Sequence, residues 1–197
     1  MTRPNLDEYG EMSAAIKEVL IPAEALQARV AELGRQISQD YAGRSPLLVG
    51  VLKGVVIFIA DLLRSLTIPV EVDFLAVANY AGGGGGVVRL EKDLSGPITG
   101  RHVLFIEDVV DTGLTLNYLL NNLRARQPAS LEVCTMFNKP AHRLISVPLK
   151  YTGFDLPDRF VVGYGLDYQE KYRNLPFIGL LSPQILKAAR KIPGSVK

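Results

Sequence analysis

Apolar residues in the first third of the chain recur with the period of a helix: Leu26, Val30, Leu33, Ile37 and Tyr41 fall on one face. Pro22 lies in the first turn of that helix, where its missing N–H is harmless, and Gly43 ends it. The pattern then shifts. Residues 46–51 form a short apolar run that predicts a buried strand, and Val56, Ile59, Ala60 and Leu63 predict a helix with those residues on its inner side. Residues 70–80 are rich in valine, alanine and aromatics on both parities, and 87–90 resume a strand pattern after five consecutive glycines, 82–86, which read as a loop. Residues 102–106 predict a second buried strand. Leu116, Leu119, Leu120 and Leu123 then give a helix stripe closing near Gln127-Pro128, and residues 131–137 a further strand. From 154 to 181 prolines, glycines and aromatics replace the helical period, with short strand-like pieces such as 160–164.

Strands that alternate with helices of this length predict an α/β fold: a doubly wound, mostly parallel sheet flanked by helices, because parallel neighbours need a crossover and the helix provides it. Ligands of such sheets sit at the carboxyl ends of the strands. The chain of 197 residues suits a single domain, 1–197, with a core over roughly 20–153 and a small hood contributed mainly by 154–185.

Composition narrows the function classes. Twenty-two basic residues against 20 acidic leave a net charge of +2, which gives no reason to expect nucleic acid or an anionic membrane as partner. Cys134 is the single cysteine, so no intrachain disulfide forms, and His102 and His142 alone make no zinc constellation. A cytoplasmic setting is expected. The polar N-terminal stretch reads as no signal peptide, and the most apolar run, 54–60, is far shorter than the roughly 20 residues of a spanning helix.

The candidate chemistry lies in residues 106–115, where Glu107, Asp108 and Asp111 are followed by Thr112, Gly113, Leu114 and Thr115. With the strand ending at Ile106 and a helix starting near Leu114, this turn presents unpaired backbone N–H groups and the positive end of a helix dipole, a setting suited to phosphate. The carboxylates at the strand end suit ribose hydroxyls or a hydrated magnesium ion. Taken alone, such a turn reads sooner as a helix cap at Asp111 with the acidic pair in a solvated loop, by about three to one.

The whole string resembles the phosphoribosyl-pyrophosphate motif of the type I phosphoribosyltransferases, in which hydrophobic residues precede two acids and a threonine-glycine-x-threonine loop. That resemblance implies that the loop from Asp111 to Thr115 holds the 5′-phosphate while Glu107 and Asp108 lie on the ribose and magnesium side. Aspartate at position 111 marks the 6-oxopurine branch of the family, and its carboxylate can exchange a proton with purine N7. The likeness to hypoxanthine-guanine phosphoribosyltransferases extends from about Leu47 to Leu181. It implies that Lys53 and Gly54 contact pyrophosphate in a loop that often holds a cis peptide, and that Arg173 grips pyrophosphate with its guanidinium fork. It further implies that Lys139 donates to purine O6, Phe160 stacks on the base, Val161 offers backbone groups, and Asp167 serves the base and the magnesium-pyrophosphate side. Such stacking contributes roughly 1 to 3 kcal/mol. Read by themselves, Lys53 is as readily a surface lysine beside a glycine turn, Lys139 is sooner a solvated loop lysine, Phe160 also fits a core strand, and Asp167 with Arg173 is sooner a surface ion pair.

One departure concerns the expected flexible lid. Where the family carries serine-tyrosine, this chain has Asn79-Tyr80, followed by Ala81 and the glycine run. The resemblance implies Mg2+-dependent transfer of the 5-phosphoribosyl group from phosphoribosyl pyrophosphate to N9 of hypoxanthine or guanine. It likewise implies IMP or GMP and pyrophosphate as products and a homodimer or homotetramer as the assembly. A xanthine-preferring enzyme of the same fold is the first alternative, and a non-catalytic nucleic-acid-binding regulator on that fold the second.

Overall fold

The structure is a computed structural model that describes residues 6–80 and 87–185. The glycine loop expected over 82–86 lies outside the described residues. The chain separates into two compact units, one drawn from Met1–Ala28 with Arg159–Lys197 and the other being Arg29–Asp158.

The larger unit is built on a six-stranded sheet. Its strands are β2 (Leu47–Leu52), β3 (Glu71–Tyr80), β4 (Val87–Lys92), β5 (His102–Val110), β6 (Ser130–Asn138) and β7 (Tyr151–Asp155), in the spatial order β4-β3-β2-β5-β6-β7. All neighbours are parallel except β3 and β4, which pair antiparallel at one edge. Helix α2 (Val56–Ser65) carries the chain from β2 to β3, and α3 (Leu114–Arg124) carries it from β5 to β6 in the opposite direction. Val49 packs with Leu116, Leu119 and Leu120 of α3, whereas a side chain on the adjacent Gly50 would meet Val55 and Ile59 at the start of α2. Consecutive strand residues face opposite sides, so the two helices cover opposite faces and the sheet is doubly wound.

The stripe expected on α3 is buried as a set, Leu116, Leu119, Leu120 and Leu123 being at most 3% exposed. On α2 the phase differs from the expected one. Val55, Phe58, Ile59 and Leu62 are buried while Val56 and Ala60 are exposed, because nearly every position there is apolar and only packing against the sheet selects the inner face. Helix α1 (Ala23–Asp40) follows Pro22, whose carbonyl accepts the amides of Ala25 and Leu26, and its predicted stripe from Leu26 to Tyr41 is buried. Gly34 is required there. A Cβ at this position would lie 2.6 Å from Ser65, so α1 crosses the end of α2 backbone to backbone.

The smaller unit holds an antiparallel sheet of β1 (Ile16–Ile21), β9 (Ile178–Leu181) and β8 (Val161–Val162), in the order β1-β9-β8. The N-terminal stretch thus supplies a strand where sequence periodicity announces none. Its polar residues alternate too irregularly, and pairing with the fully apolar β9 makes it a strand. Ala15, Ile16, Val162, Leu175, Phe177 and Leu181 form this unit's core, with Tyr9 set edge-on to Phe177 at 5.1 Å between ring centres. Among the described residues no helix is long and apolar enough to cross a membrane.

Candidate active site

The two central strands of the larger unit part at their carboxyl ends. β2 and β5 pair from Leu47 with Val103 as far as Gly50 with Ile106. Beyond that point β2 follows β3 to the pair Leu52 with Ala76, and β5 follows β6 to the pair Val110 with Asn138. Such a divergence at the reversal of strand order is where doubly wound sheets bind ligands.

One loop at this opening follows β2. The peptide between Leu52 and Lys53 is cis, Lys53 is exposed, Gly54 is buried, and the Lys53 carbonyl accepts the Val56 amide at 3.2 Å as α2 begins. The other loop, Asp111-Thr112-Gly113, follows β5 and leads straight into α3. Asp111 is exposed. Gly113 occupies the cap position of α3 at φ +81°, and a Cβ there would stand 2.5 Å from the Ile145 carbonyl oxygen, so both conformation and space require glycine. Since a glycine cap has no side chain, the first-turn amides of α3 are left to the weak 3.4 Å bond from Leu114 N–H to Thr112 Oγ1 and to whatever binds from outside. Such a helix start, with Thr112 and Thr115 beside it, has the geometry suited to an anion.

The strand expected to stop at Ile106 runs on to Val110, which corrects the placement of the acidic pair. Glu107 and Asp108 lie within β5, with Glu107 opposite Thr135 of β6, so by the pleat they face opposite sides of the sheet. Strand pairing to β6 overrides the low β-propensity of the two acids. Asp108 Oδ1 accepts the Val109 amide at 2.7 Å. Glu107 keeps some accessible surface as a residue, yet its carboxyl is densely surrounded by protein; burial, with the Asp108 charge added, raises it well above the ordinary carboxylate range.

After β6 the chain folds back over the Asp111 loop. The Lys139 amide donates to the Val110 carbonyl at 2.9 Å, and the amides of Leu144 and Ile145 donate to the Thr112 carbonyl at 2.9 and 3.1 Å. Arg143 reinforces this from beneath, donating to the Val110 carbonyl at 3.2 Å and to Asn138 Oδ1 at 2.5 Å. Within this returning segment His142 faces two carboxylates: Nδ1 lies 2.9 Å from Asp111 Oδ1 and Nε2 lies 2.5 Å from Asp158 Oδ1. Sequence reasoning missed His142, Arg143 and Asp158. They sit in turns without periodicity, and His142 is 31 residues from Asp111.

Of the sequence-predicted residues, Lys53, Gly54, Glu107, Asp108, Asp111, Thr112, Gly113, Leu114, Thr115 and Lys139 belong to the larger unit, and Asn79 and Tyr80 close β3 there, paired with Val88 and Val87. Phe160, Val161, Asp167 and Arg173 belong to the smaller unit. Phe160 is 45% exposed, with its ring edge-to-face with Tyr168 at 5.4 Å, so it is no core residue; Val161 is buried in β8. Arg173 donates to the Gly165 carbonyl at 2.9 Å and pairs with Asp167 at 2.8 Å and Glu170 at 3.3 Å. The second Asp167 oxygen accepts the Glu170 amide at 2.9 Å. Tyr164, Gln169, Glu170 and Tyr172 all have positive φ, against one other non-glycine residue among the described residues, Gln127. Unfavourable backbone concentrated in one segment is typical of functional turns.

Comparison with known proteins agrees with this geometry. The profile of the phosphoribosyl transferase domain matches residues 20–169. The hypoxanthine-guanine phosphoribosyltransferase of Mycobacterium avium is 52% identical over 178 residues, 86% of this chain and 88% of that protein. Its counterpart from Streptococcus agalactiae is 48% identical over 172 residues, 86% of this chain and 96% of that protein. A crystal structure of hypoxanthine phosphoribosyltransferase from Staphylococcus aureus superposes with a TM-score of 0.85 at 43% identity, covering 88% of this chain and 96% of that one. A glycine-capped helix start at the switch point of a doubly wound sheet, a matching domain profile and relatives of this identity and coverage lead to one conclusion: the chain belongs to the phosphoribosyltransferase family, within the group of the hypoxanthine-guanine enzymes.

Proposed function

We propose that the chain transfers the 5-phosphoribosyl group of phosphoribosyl pyrophosphate to N9 of hypoxanthine or guanine, releasing pyrophosphate and giving the nucleoside monophosphate for purine salvage. The observation that carries this is the uncapped start of α3 behind Asp111, opening where β2 and β5 diverge. The amides and hydroxyls from Thr112 to Thr115 hold the 5′-phosphate, fixing the sugar so that its anomeric carbon meets the base. Asp111 accepts or returns the N7 proton as the bond to N9 forms. Lys139 has only hydrogens to offer, so it pairs with a 6-oxo group and leaves a 6-amino group facing another donor. Phe160 stacks on the purine and Val161 offers backbone groups beside it. Asn79 and Tyr80 serve as the lid over the reacting centre. Lys53 and Gly54 receive the pyrophosphate, and Arg173, already oriented by Gly165 and Asp167, grips it.

Magnesium fits these residues as an ion that arrives with the donor. Among the described residues no three His, Cys, Asp or Glu side chains gather into a cage, and magnesium favours a few carboxylates, waters and phosphate oxygens over such cages. Glu107 and Asp108 offer hard oxygens on the ribose side, and Asp167, with both oxygens already accepting, supports the pyrophosphate side. Held there, magnesium would supply positive charge beside the pyrophosphate. We place the enzyme in the cytoplasm as a homodimer or homotetramer, which size-exclusion chromatography checks.

The test is a spectrophotometric assay with phosphoribosyl pyrophosphate, magnesium and hypoxanthine, guanine, xanthine or adenine in turn. Turnover with hypoxanthine and guanine is expected. Turnover with xanthine alone would shift the substrate assignment, and inactivity with every base, together with a salt-dependent gel shift on RNA or DNA, would overturn the reading.

A further inference from the structure

We propose that His142 is a positioning residue for Asp111, and that Asp158 in turn fixes His142. The proposal rests on the reading of Asp111 as the group that exchanges a proton with the base. The segment that carries His142 is tied to the carbonyls on both sides of Asp111, through the Lys139 amide to Val110 and the Leu144 and Ile145 amides to Thr112. The ring and the carboxylate are therefore presented to each other by backbone on both flanks, independent of any side-chain contact. His142 Nδ1 then meets Asp111 Oδ1 at 2.9 Å, while Nε2 meets Asp158 Oδ1 at 2.5 Å.

A stability role does not account for this arrangement. The side chains of Asp111, His142 and Asp158 are 48%, 40% and 64% exposed, and ion pairs so exposed contribute little to folding. What the contact does fix is direction. An aspartate on a turn rotates freely about two bonds, whereas one whose Oδ1 is bonded to a ring anchored at its far side keeps a single orientation. Oδ2 is then the oxygen that exchanges the proton with the base. Asp158, facing the opposite ring nitrogen, holds the imidazole in the orientation that meets Asp111. Geometry of this kind governs proton transfer more strongly than it governs binding.

The experiment compares H142F, H142N and D158A, alone and combined with D111N, using single-turnover rates with hypoxanthine so that product release does not mask the step. Loss of both ring contacts in H142F should slow the step about tenfold while KM for phosphoribosyl pyrophosphate stays within about twofold, as is usual when a residue orienting a reactive group is removed. H142N keeps a donor near the position of Nδ1 and should recover to within about threefold of wild type, with D158A between the two. In the D111N background H142F should have no further effect, because the two residues act as one unit. An unchanged rate in H142F, an equal loss in H142N, or a loss that adds fully to that of D111N would each overturn the proposal. Should D111N itself turn over at the wild-type rate, the proton-transfer reading of Asp111 fails and takes this proposal with it. A slow D111N beside a fully active H142F sinks the role of His142 alone.

Discussion

The Ile145 carbonyl oxygen lies only 2.5 Å from where a Cβ on Gly113 would stand. The same Ile145 donates its amide to the Thr112 carbonyl, as does Leu144, so the returning chain is pinned to the residue just before the glycine and resists moving away to admit a methyl group.

Gly113→Ala is therefore expected to destabilise the fold by about 2 to 4 kcal/mol, combining the penalty of positive φ with a backbone clash. Urea unfolding measures that loss. Because the loop must shift to relieve the clash, KM for phosphoribosyl pyrophosphate should rise as well, and a variant of wild-type stability would show that the loop is not held as described.

Lys139→Met keeps the length of the side chain and removes its donor. Hypoxanthine kcat/KM should fall roughly 30-fold, the equivalent of about 2 kcal/mol for a lost charged hydrogen bond, with KM for phosphoribosyl pyrophosphate little changed. Steady-state kinetics with each substrate varied separately decides it; a loss confined to the donor substrate would remove Lys139 from the base.

Arg29 donates from α1 to the carbonyls of Thr152 at 2.7 Å and Gly153 at 3.2 Å on edge strand β7, and pairs with Glu32 at 2.6 Å. Arg29→Ala should cost about 1.5 to 3 kcal/mol, seen as a lower denaturation midpoint at constant slope, with kcat unaltered. Arg29→Lys, which keeps the charge but loses the fork, should recover only part of it.

Two carboxylates should give opposite pH dependences of stability. Burial pushes Asp73 up, but the amides of Ser95 and Phe74 and the Lys92 ammonium together outweigh it and hold the carboxyl below its usual value of 3.8. Its contribution is present above that value and is lost as pH falls through the lower folded one. Glu107 is raised above 4.5 by burial and by Asp108, so its folded form favours the proton and stability is lost as pH climbs beyond 4.5. Thermal unfolding from pH 3 upward should show Asp73→Asn flattening the acid limb. Glu107→Gln should raise Tm at neutral pH while weakening the donor substrate's binding. A lower Tm for Glu107→Gln at neutral pH would contradict this.

The sequence by itself determined the doubly wound sheet, the inner face of α3 and the strand-to-helix placement of the 111–115 loop. Those features rest on local properties: an apolar period, a glycine where φ must be positive, and acids beside small residues at a strand-to-helix turn. The inner face of α2 was not legible, because a helix apolar nearly all round has no preferred side until it packs. Nor was the extension of β5 through Glu107 and Asp108, since hydrogen bonds to β6 form across residues distant in sequence and overrule the local preference of the two acids. The partition of the chain N-terminus into the smaller sheet depends likewise on its pairing with β9. Above all, the contact between Asp111 and His142 exists because the chain returns from β6 and bonds to the carbonyls on either side of Asp111, a closure that no local pattern encodes and only the tertiary structure decides.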